Sequence, residues 1–388
     1  MIPYGQYQNP YVQFFESPQP FRGSGRDKKA PNGLQEIKIG FLGPLENSIE
    51  APMGIQMLNG AMLALEKANL NGGYQDIPFS LIPHNDAGLW GAAANEVVKM
   101  DGEGVWAILG SIDGNVTHVA LRAALKLEIP MVNTGDSDPT LTETRIPWVI
   151  RVIGDDRQSS YALAHYMVSQ KDHSKIAVIR SNSRYGRVGV AEFKDAVTRL
   201  GKPVLLEVRF TDGDSLFAPQ LKRIQDITAD AVMVWGNARE GALIIKQMRQ
   251  MGMQQPVFAC DRLASGEVLK IAGRDAEGLH TTYPYNPTRP DPELVAFNQM
   301  YYARFGQQPD MFAAHAYDGM NILIEAIKKA GLNRARIRDV LTDLKTFQGY
   351  EGITGRIIFD TTWNDVGDIW MTTLKQGKFE YFSATPHE

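Results

Sequence analysis

The chain has 388 residues, 44% of them hydrophobic and 22% charged, with 40 basic residues against 44 acidic ones and a formal charge of −4. This composition suits two or three folded domains and excludes gross disorder and collagen-like repeats. The near-even charge balance offers no electrostatic ground for nucleic acid or anionic lipid as a partner. The single cysteine, Cys260, excludes an intrachain disulfide and a cysteine-based zinc site.

No apolar run approaches the ~20 residues needed to cross a bilayer. Residues 1–25 lack the basic start and the apolar block of a signal peptide. The stretch 1–34 reads as an N-terminal arm or tether. It is either an unordered leader or an arm that packs on its own domain or a partner. Tyr4, Tyr7, Tyr11, Phe14 and Phe15 speak for the second reading, being unusual in a purely solvating linker.

From residue 36 the chain alternates between two periods. A strand at 36–42 ends at Gly43-Pro44, and Ile55, Leu58, Met62 and Leu65 then recur at helical spacing until Gly72-Gly73. A strand at 79–82, a helix at 92–100, a strand at 105–109, a helix at 117–127 and a strand at 129–132 follow. This rhythm builds a parallel sheet with helices on both faces. It then starts again, with helices at 158–169, 188–200, 216–227 and 238–251 and strands at 175–180, 204–210, 230–235 and 257–259.

Three helices come next, at 292–305, 312–330 and 337–344, and then strand-like pieces at 356–359 and 369–374. This tail has too few strands for a third domain, so its helices are expected to pack back onto the first unit. The chain should then cross between lobes near 152–155, 282–287 and 360–367. The expected organisation is α/β, with two doubly wound parallel-sheet lobes. The arm covers 1–34, the N-terminal lobe 35–154 plus 284–362, and the C-terminal lobe 155–283 plus 363–388.

Standard catalytic signatures are absent, including H-E-x-x-H, G-x-S-x-G, the P-loop and the dinucleotide glycine fingerprint. His84, His118, His165, His173, His280, His315 and His387 show no metal-ligand spacing, and His84 reads as structural. Residues 135–143 resemble a calcium loop only loosely, since the turn glycine and the terminal glutamate are missing. Neither a catalytic residue nor a metal or cofactor is expected, and Cys260 reads as a packed thiol. Polar residues and glycines gather instead after the strands, at Asn85-Asp86, 110–115, 134–138, 181–186, Gly236-Asn237 and Asp261-Arg262. In an open α/β sheet the carboxyl ends of the strands form the ligand crevice, where helix N-termini offer unpaired N–H groups.

The order and spacing of many small pieces carry a family resemblance. They include Ile37-Lys38-Ile39-Gly40 before Gly43-Pro44, Asn59-Gly60-Ala61, Asn71-Gly72-Gly73, Ile129-Pro130-Met131-Val132, Pro139-Thr140-Leu141-Thr142 and Arg151. The later ones are Lys175-Ile176-Ala177-Val178-Ile179, Tyr185-Gly186, Gly213-Asp214, Phe217, Ala276-Glu277-Gly278-Leu279, Ala316-Tyr317-Asp318 and Gly355-Arg356-Ile357-Ile358-Phe359-Asp360. From about residue 36 to 382 the chain resembles type I periplasmic solute-binding proteins, in the branch of the leucine/isoleucine/valine-binding proteins of ABC importers. The resemblance implies two lobes joined by a three-crossover hinge that closes on a small ligand. It also implies a periplasmic or otherwise extracytoplasmic location, delivery to a membrane permease, and a monomer.

The same resemblance implies a pocket. Thr117 stands where relatives place a threonine near the ligand carboxylate, beside Asn115, and Gly114 stands at the serine position and lacks its hydroxyl. Asp136-Ser137-Asp138 replaces an Ala-and-Thr stretch. Ser137 keeps a hydroxyl, and the two aspartates are a departure. Tyr185 matches the aromatic of the second lobe, and Asp261 the acid that meets the ligand ammonium. Met53, Trp90 and Phe312 would supply pocket walls.

Two readings of Asp136 and Asp138 stand at this point. They face the ligand and repel anions, or they cap the turn at Pro139. The first reading favours an amino acid or amine derivative, with a polyol or other hydroxylated molecule as the alternative. A ligand-binding sensor or receptor module is a second functional class. An enzyme using Asp261 or Asp136 is a third, against which the lack of a nucleophile–base pair counts.

Overall fold

The computed structural model describes residues 24–384. Tyr4, Tyr7, Tyr11, Phe14 and Phe15 of the expected arm lie outside the described residues. The chain forms two compact units. Among the described residues, the N-terminal unit contains 24–154 and Arg289–Gly367, and the C-terminal unit contains Asp155–Thr288 and 368–384.

The N-terminal unit begins with β1 (Ile37–Gly43), α1 (Ala51–Leu70), β2 (Phe79–Asn85), α2 (Trp90–Glu103), β3 (Ile108–Gly110), α3 (Gly114–Leu127), β4 (Met131–Asn133), the short α4 (Thr140–Glu143) and β5 (Val149–Arg151). The C-terminal unit follows with α5 (Asp156–His165), β6 (Ile176–Ser181), α6 (Arg184–Arg199), β7 (Leu206–Phe210), α7 (Ala218–Gln225), β8 (Ala231–Trp235), α8 (Ala238–Gln250), β9 (Val257–Ala259), α9 (Gly266–Ala272) and β10 (His280–Tyr283). The chain then returns to the N-terminal unit with α10 (Pro292–Phe305), α11 (Met311–Ala330), α12 (Arg334–Thr342) and the small hairpin of β11 (Tyr350–Gly352) and β12 (Gly355–Ile357). Finally β13 (Trp370–Lys375) and β14 (Lys378–Ser383) complete the C-terminal unit.

The five strands of the N-terminal sheet run in the order β2-β1-β3-β4-β5, all parallel. The seven strands of the C-terminal sheet run β14-β13-β10-β9-β8-β6-β7. Every residue of β6 and β8 is buried, as continuous apolar runs in a sheet covered on both faces require. The sheet departs from the expected all-parallel pattern at one edge, where β13 pairs antiparallel with both β10 and β14. A two-residue turn at Gln376-Gly377, both at positive φ, closes that hairpin.

In α1 the buried face is not the stripe that the larger apolar residues suggest. Ile55 is exposed, and the core side is Gly54, Met57, Gly60, Ala61, Ala64, Leu65 and Ala68. The reason is close packing on α11. A Cβ on Gly60 would sit 2.0 Å from the carbonyl oxygen of Ala313, so small residues set the distance between these helices. The helices of the tail thus cover the first sheet.

The segment Ser24–Asp27 forms a 3-10 turn that is tied down at both ends. The Glu128 carboxylate accepts from Ser24 N, Ser24 Oγ and Gly25 N at 2.7–2.8 Å. Asn333 Nδ2 donates to the carbonyls of Gly25, Arg26 and Lys28 at 2.9–3.1 Å.

Candidate functional site

In the N-terminal unit the candidate residues gather at the carboxyl ends of β3 and β4. Asp113 caps α3, its Oδ1 accepting from Asn115 N at 2.8 Å and Val116 N at 3.2 Å. Gly114 opens the helix and is buried, while the Asn115 side chain is exposed. Thr117 is fully buried, and its hydroxyl donates back to Asp113 O at 2.9 Å. Its oxygen retains acceptor capacity, but its proton is already used.

The loop after β4 is braced from three sides. Asn133 Nδ2 donates to Ser111 O at 2.9 Å, and its Oδ1 accepts from Asp136 N at 3.1 Å, which joins the loops after β3 and β4. Ser111 Oγ donates to Asp86 Oδ2 at 2.6 Å, which adds the loop after β2. Arg151, completely buried, donates to Asp138 O at 2.5 Å and to Asp136 O at 3.4 Å, while its Nε donates to Asn364 Oδ1 at 2.6 Å.

Within this frame the two aspartates brace their own turn. Asp138 Oδ1 accepts from Thr140 N at 2.9 Å and Thr140 Oγ1 at 2.8 Å, and Asp136 Oδ1 accepts from Asp138 N at 3.0 Å. Asp136 is only 2% exposed, and its Oδ2 has no partner among the described residues. Burial and the neighbouring Asp138 carboxylate push Asp136 up to about 8, so it holds its proton at neutral pH. The expected repulsion between two ionised aspartates and an anionic ligand therefore loses one of its two charges. Ser137 lies between them and is nearly buried.

The wall residues divide. Trp90 is 66% exposed at the start of α2, Phe312 is buried near the start of α11, and Met53 is part-exposed in the first turn of α1. Met57, one turn further on, is the methionine whose side chain approaches both Gly43 and Gly135. Sequence spacing alone does not distinguish it from Met53.

In the C-terminal unit the carboxyl ends of β6, β8 and β9 bring together Tyr185, Asn237, Asp261 and Arg262. Tyr185 OH donates to Asp261 Oδ1 at 2.7 Å. The Arg262 guanidinium lies 3.8 Å from the centroid of the Tyr185 ring, and its Nη1 donates to Asn237 Oδ1 at 2.7 Å. The Trp235 ring lies 5.6 Å from that of Tyr185. Burial raises Asp261, opposed by the Tyr185 hydroxyl and the Arg262 charge. The sequence reading places Asn237 and Arg262 among the polar residues that follow the strands and, of these four, gives a site role only to Tyr185 and Asp261.

Other acids at this edge have partners of their own. Asp212 accepts from Ser181 Oγ, and Glu240 Oε1 accepts from Gly213 N at 3.0 Å and pairs with Arg239 at 3.2 Å. Cys260 Sγ donates to Gly236 O at 3.3 Å, and burial pushes its thiol up to about 12, as suits a packed thiol. His84 sits between Glu96 at 2.6 Å and Glu103 at 2.9 Å. No group of three or more His, Cys, Asp and Glu suited to a metal occurs among the described residues, and no helix among them is long and apolar enough to cross a membrane.

Comparison with known proteins agrees with this architecture. The chain is 26% identical over 358 residues to the Leu/Ile/Val-binding protein homolog 2 of Brucella abortus (strain 2308), covering 89% of this chain and 93% of that protein. The leucine-binding protein LivK of Thermotoga maritima MSB8 superposes with a TM-score of 0.82 at 25% identity, covering 89% of this chain and 98% of that one. LivJ of Streptococcus pneumoniae, solved with isoleucine, gives 0.83 at 24% identity, covering 90% and 100%. Residues 36–378 match the periplasmic binding protein family. This chain belongs to that family, in the branch of the leucine/isoleucine/valine-binding proteins.

Proposed function

We propose that this protein is the extracytoplasmic solute-binding component of an ABC importer and that it captures a small polar ligand, an amino acid or a close amine derivative. The observation that carries this reading is the Tyr185–Asp261 pair. A buried carboxylate that accepts from the Tyr185 hydroxyl at the carboxyl edge of the C-terminal sheet is a receptor for an ammonium group. The Ser137 hydroxyl and the positive end of the α3 dipole at Gly114, a helix start that Thr117 steadies and whose Asn115 and Val116 N–H groups are taken by Asp113, are the proposed complementary receptor for a carboxylate. Met53, Trp90 and Phe312 remain proposed walls. The similarity to the leucine-binding protein LivK and to a Leu/Ile/Val-binding protein homolog supports the amino-acid class.

Hinge closure, as in periplasmic binding proteins, traps the ligand before delivery to a membrane permease. The protein acts without chemistry on its ligand, as a monomer and without a cofactor. Native mass spectrometry of the purified chain, followed by titration calorimetry with L-amino acids, amines and polyols, tests the reading. Saturable binding of an amino acid that Asp261→Asn weakens at least tenfold is expected. Binding of polyols alone, or turnover of any ligand, overturns it.

A further inference from the structure

The N-terminal unit carries a cavity of about 210 Å³ between the end of α1, α11, the start of α10 and the β11–β12 hairpin. None of the residues that line it belongs to the proposed ligand site. Its floor includes Tyr317 and Asp318, which are 4% and 1% exposed. At roughly 30 Å³ per water it has room for about seven waters. That suits a small polar molecule rather than the ligands that fill pockets of about 300–1,000 Å³.

The Tyr317 side of the cavity offers donors. Lys67 Nζ donates to Tyr317 OH at 3.2 Å and lies 5.8 Å from the centroid of its ring. Having accepted that bond, the Tyr317 hydroxyl keeps its own proton, which meets no acceptor among the described residues. Lys67 retains two further N–H donors and makes no ion pair among the described residues. The Tyr317 oxygen and the Glu293 charge hold its ammonium above the usual lysine range. Burial and the Asp318, Glu325 and Glu293 carboxylates raise Tyr350, so its hydroxyl stays protonated as another donor.

The acids divide by depth. Asp318 is committed to the hairpin, accepting from Ile353 N at 3.0 Å, Thr354 N at 2.9 Å and Thr354 Oγ1 at 2.7 Å. Glu293 and Glu325 are exposed at the rim, and their carboxylates make no hydrogen bond or ion pair among the described residues. A lone anion would be repelled by these acids, and a lone cation by Lys67 and by Lys328, which also lines the cavity. A molecule with both charges a few bonds apart satisfies both sides.

We propose that this cavity binds a small zwitterion of the free amino-acid type, its carboxylate accepting from Lys67 and Tyr317 and its ammonium donating to the rim carboxylates. The site is separate from the one on which the proposed function rests.

The test is an NMR titration of the full isotope-labelled chain with glycine, and with acetate and methylammonium as single-charge probes. Glycine should shift amide signals in 67–71, 321–328 and 350–353 saturably, in the wild type and in Asp261→Asn alike. Tyr317→Phe keeps the ring against Phe297, whose centroid is 4.8 Å away, and deletes only the hydroxyl. It and Lys67→Met should each weaken glycine binding about tenfold. Acetate and methylammonium should bind about tenfold more weakly than glycine. Lys67 is exposed, so Lys67→Met reads the site even if Tyr317→Phe does not fold. Absence of saturable shifts in those segments, their loss in Asp261→Asn, equal binding of either single-charge probe, or full glycine binding by the Lys67 variant overturns the proposal.

Discussion

Tyr185 and Asp261 are 76 residues apart in the chain and 2.7 Å apart in the folded unit, the tyrosine hydroxyl donating to Asp261 Oδ1. The strand order places β8 between β6 and β9, so the loops after β6 and β9 meet above the carboxyl end of β8. Removing this bond tests the site most directly. Tyr185→Phe keeps the ring under Arg262 and deletes only the hydroxyl. Loss of a buried hydrogen-bond partner costs about 1–3 kcal/mol, or roughly tenfold to a hundredfold in affinity. Calorimetry with the best-bound amino acid should show that loss. Unchanged affinity in both Tyr185→Phe and Asp261→Asn would place the ligand elsewhere.

Thr117 is expected to behave differently. Its proton is committed to Asp113 O, so it serves the ligand only as an acceptor or through the helix start that it steadies. Thr117→Val, which preserves shape, should lower affinity less than Tyr185→Phe does, and Thr117→Ser should bind as the wild type does. A larger loss in Thr117→Val than in Tyr185→Phe would show that its hydroxyl turns to the ligand.

Asp136 gives a pH signature. Its folded value, about 8, lies above the ordinary 3.8, so between those limits the folded chain holds a proton that the unfolded chain has released. Stability contributed at this position is full below about pH 4 and is lost as pH rises toward 8. Asp86, pushed up by burial to about 6, and Asp310, pushed up to about 7, act in the same direction. The difference between the wild type and Asp136→Asn isolates the one residue. Thermal melts from pH 4 to 9 should show the variant gaining on the wild type as pH rises. Parallel profiles would mean that Asp136 is ionised throughout.

Arg151 should matter to stability more than its position at a strand end suggests. It ties Asp136 and Asp138 to Asn364 from a fully buried position. Arg151→Ala strands these acceptors, and about 2–4 kcal/mol of destabilisation is expected in urea unfolding. Hydrogen exchange should rise at 133–138 and 360–367 together. A change confined to one of those segments would show that Arg151 does not couple them.

The turn at Ser24–Asp27 hangs on Glu128 and Asn333. Asn333→Ala removes three hydrogen bonds to the carbonyls of Gly25, Arg26 and Lys28. Proteolysis after Arg26 or Lys28 should then accelerate several-fold, with little change in ligand affinity. Resistance equal to that of the wild type would show that Glu128, the Arg336 bond to Arg26 O and the Arg26–Asp339 pair hold the segment without Asn333.

Much of this protein is readable from the order of residues. The helix at 292–305 and the strand at 257–259 coincide with α10 and β9, because a helix opened by Asp291-Pro292 and closed by Gly306, or a short apolar run between breakers, is specified by local chemistry. The sequence reading does not anticipate β10 or β14; β14, Lys378–Ser383, is a half-exposed polar strand at the sheet edge and depends on its partner for its identity. Met57 rather than Met53 against Gly43 and Gly135, and Gly60 against Ala313, follow from how closely α1 approaches its neighbours, a distance no single segment encodes.

The site divides along the same line. The sequence by itself determined which residue types follow each strand, and the family resemblance it carries named Thr117, Ser137, Tyr185 and Asp261. Only the tertiary structure decided what they do. It spends the hydroxyl of Thr117 on Asp113, turns Asp138 into a cap for Thr140, strips water from Asp136 until the acid keeps its proton, and stacks Arg262 on Tyr185. Charge state and hydrogen-bond availability depend on burial and on partners distant in the chain, and these exist only once the sheets have formed.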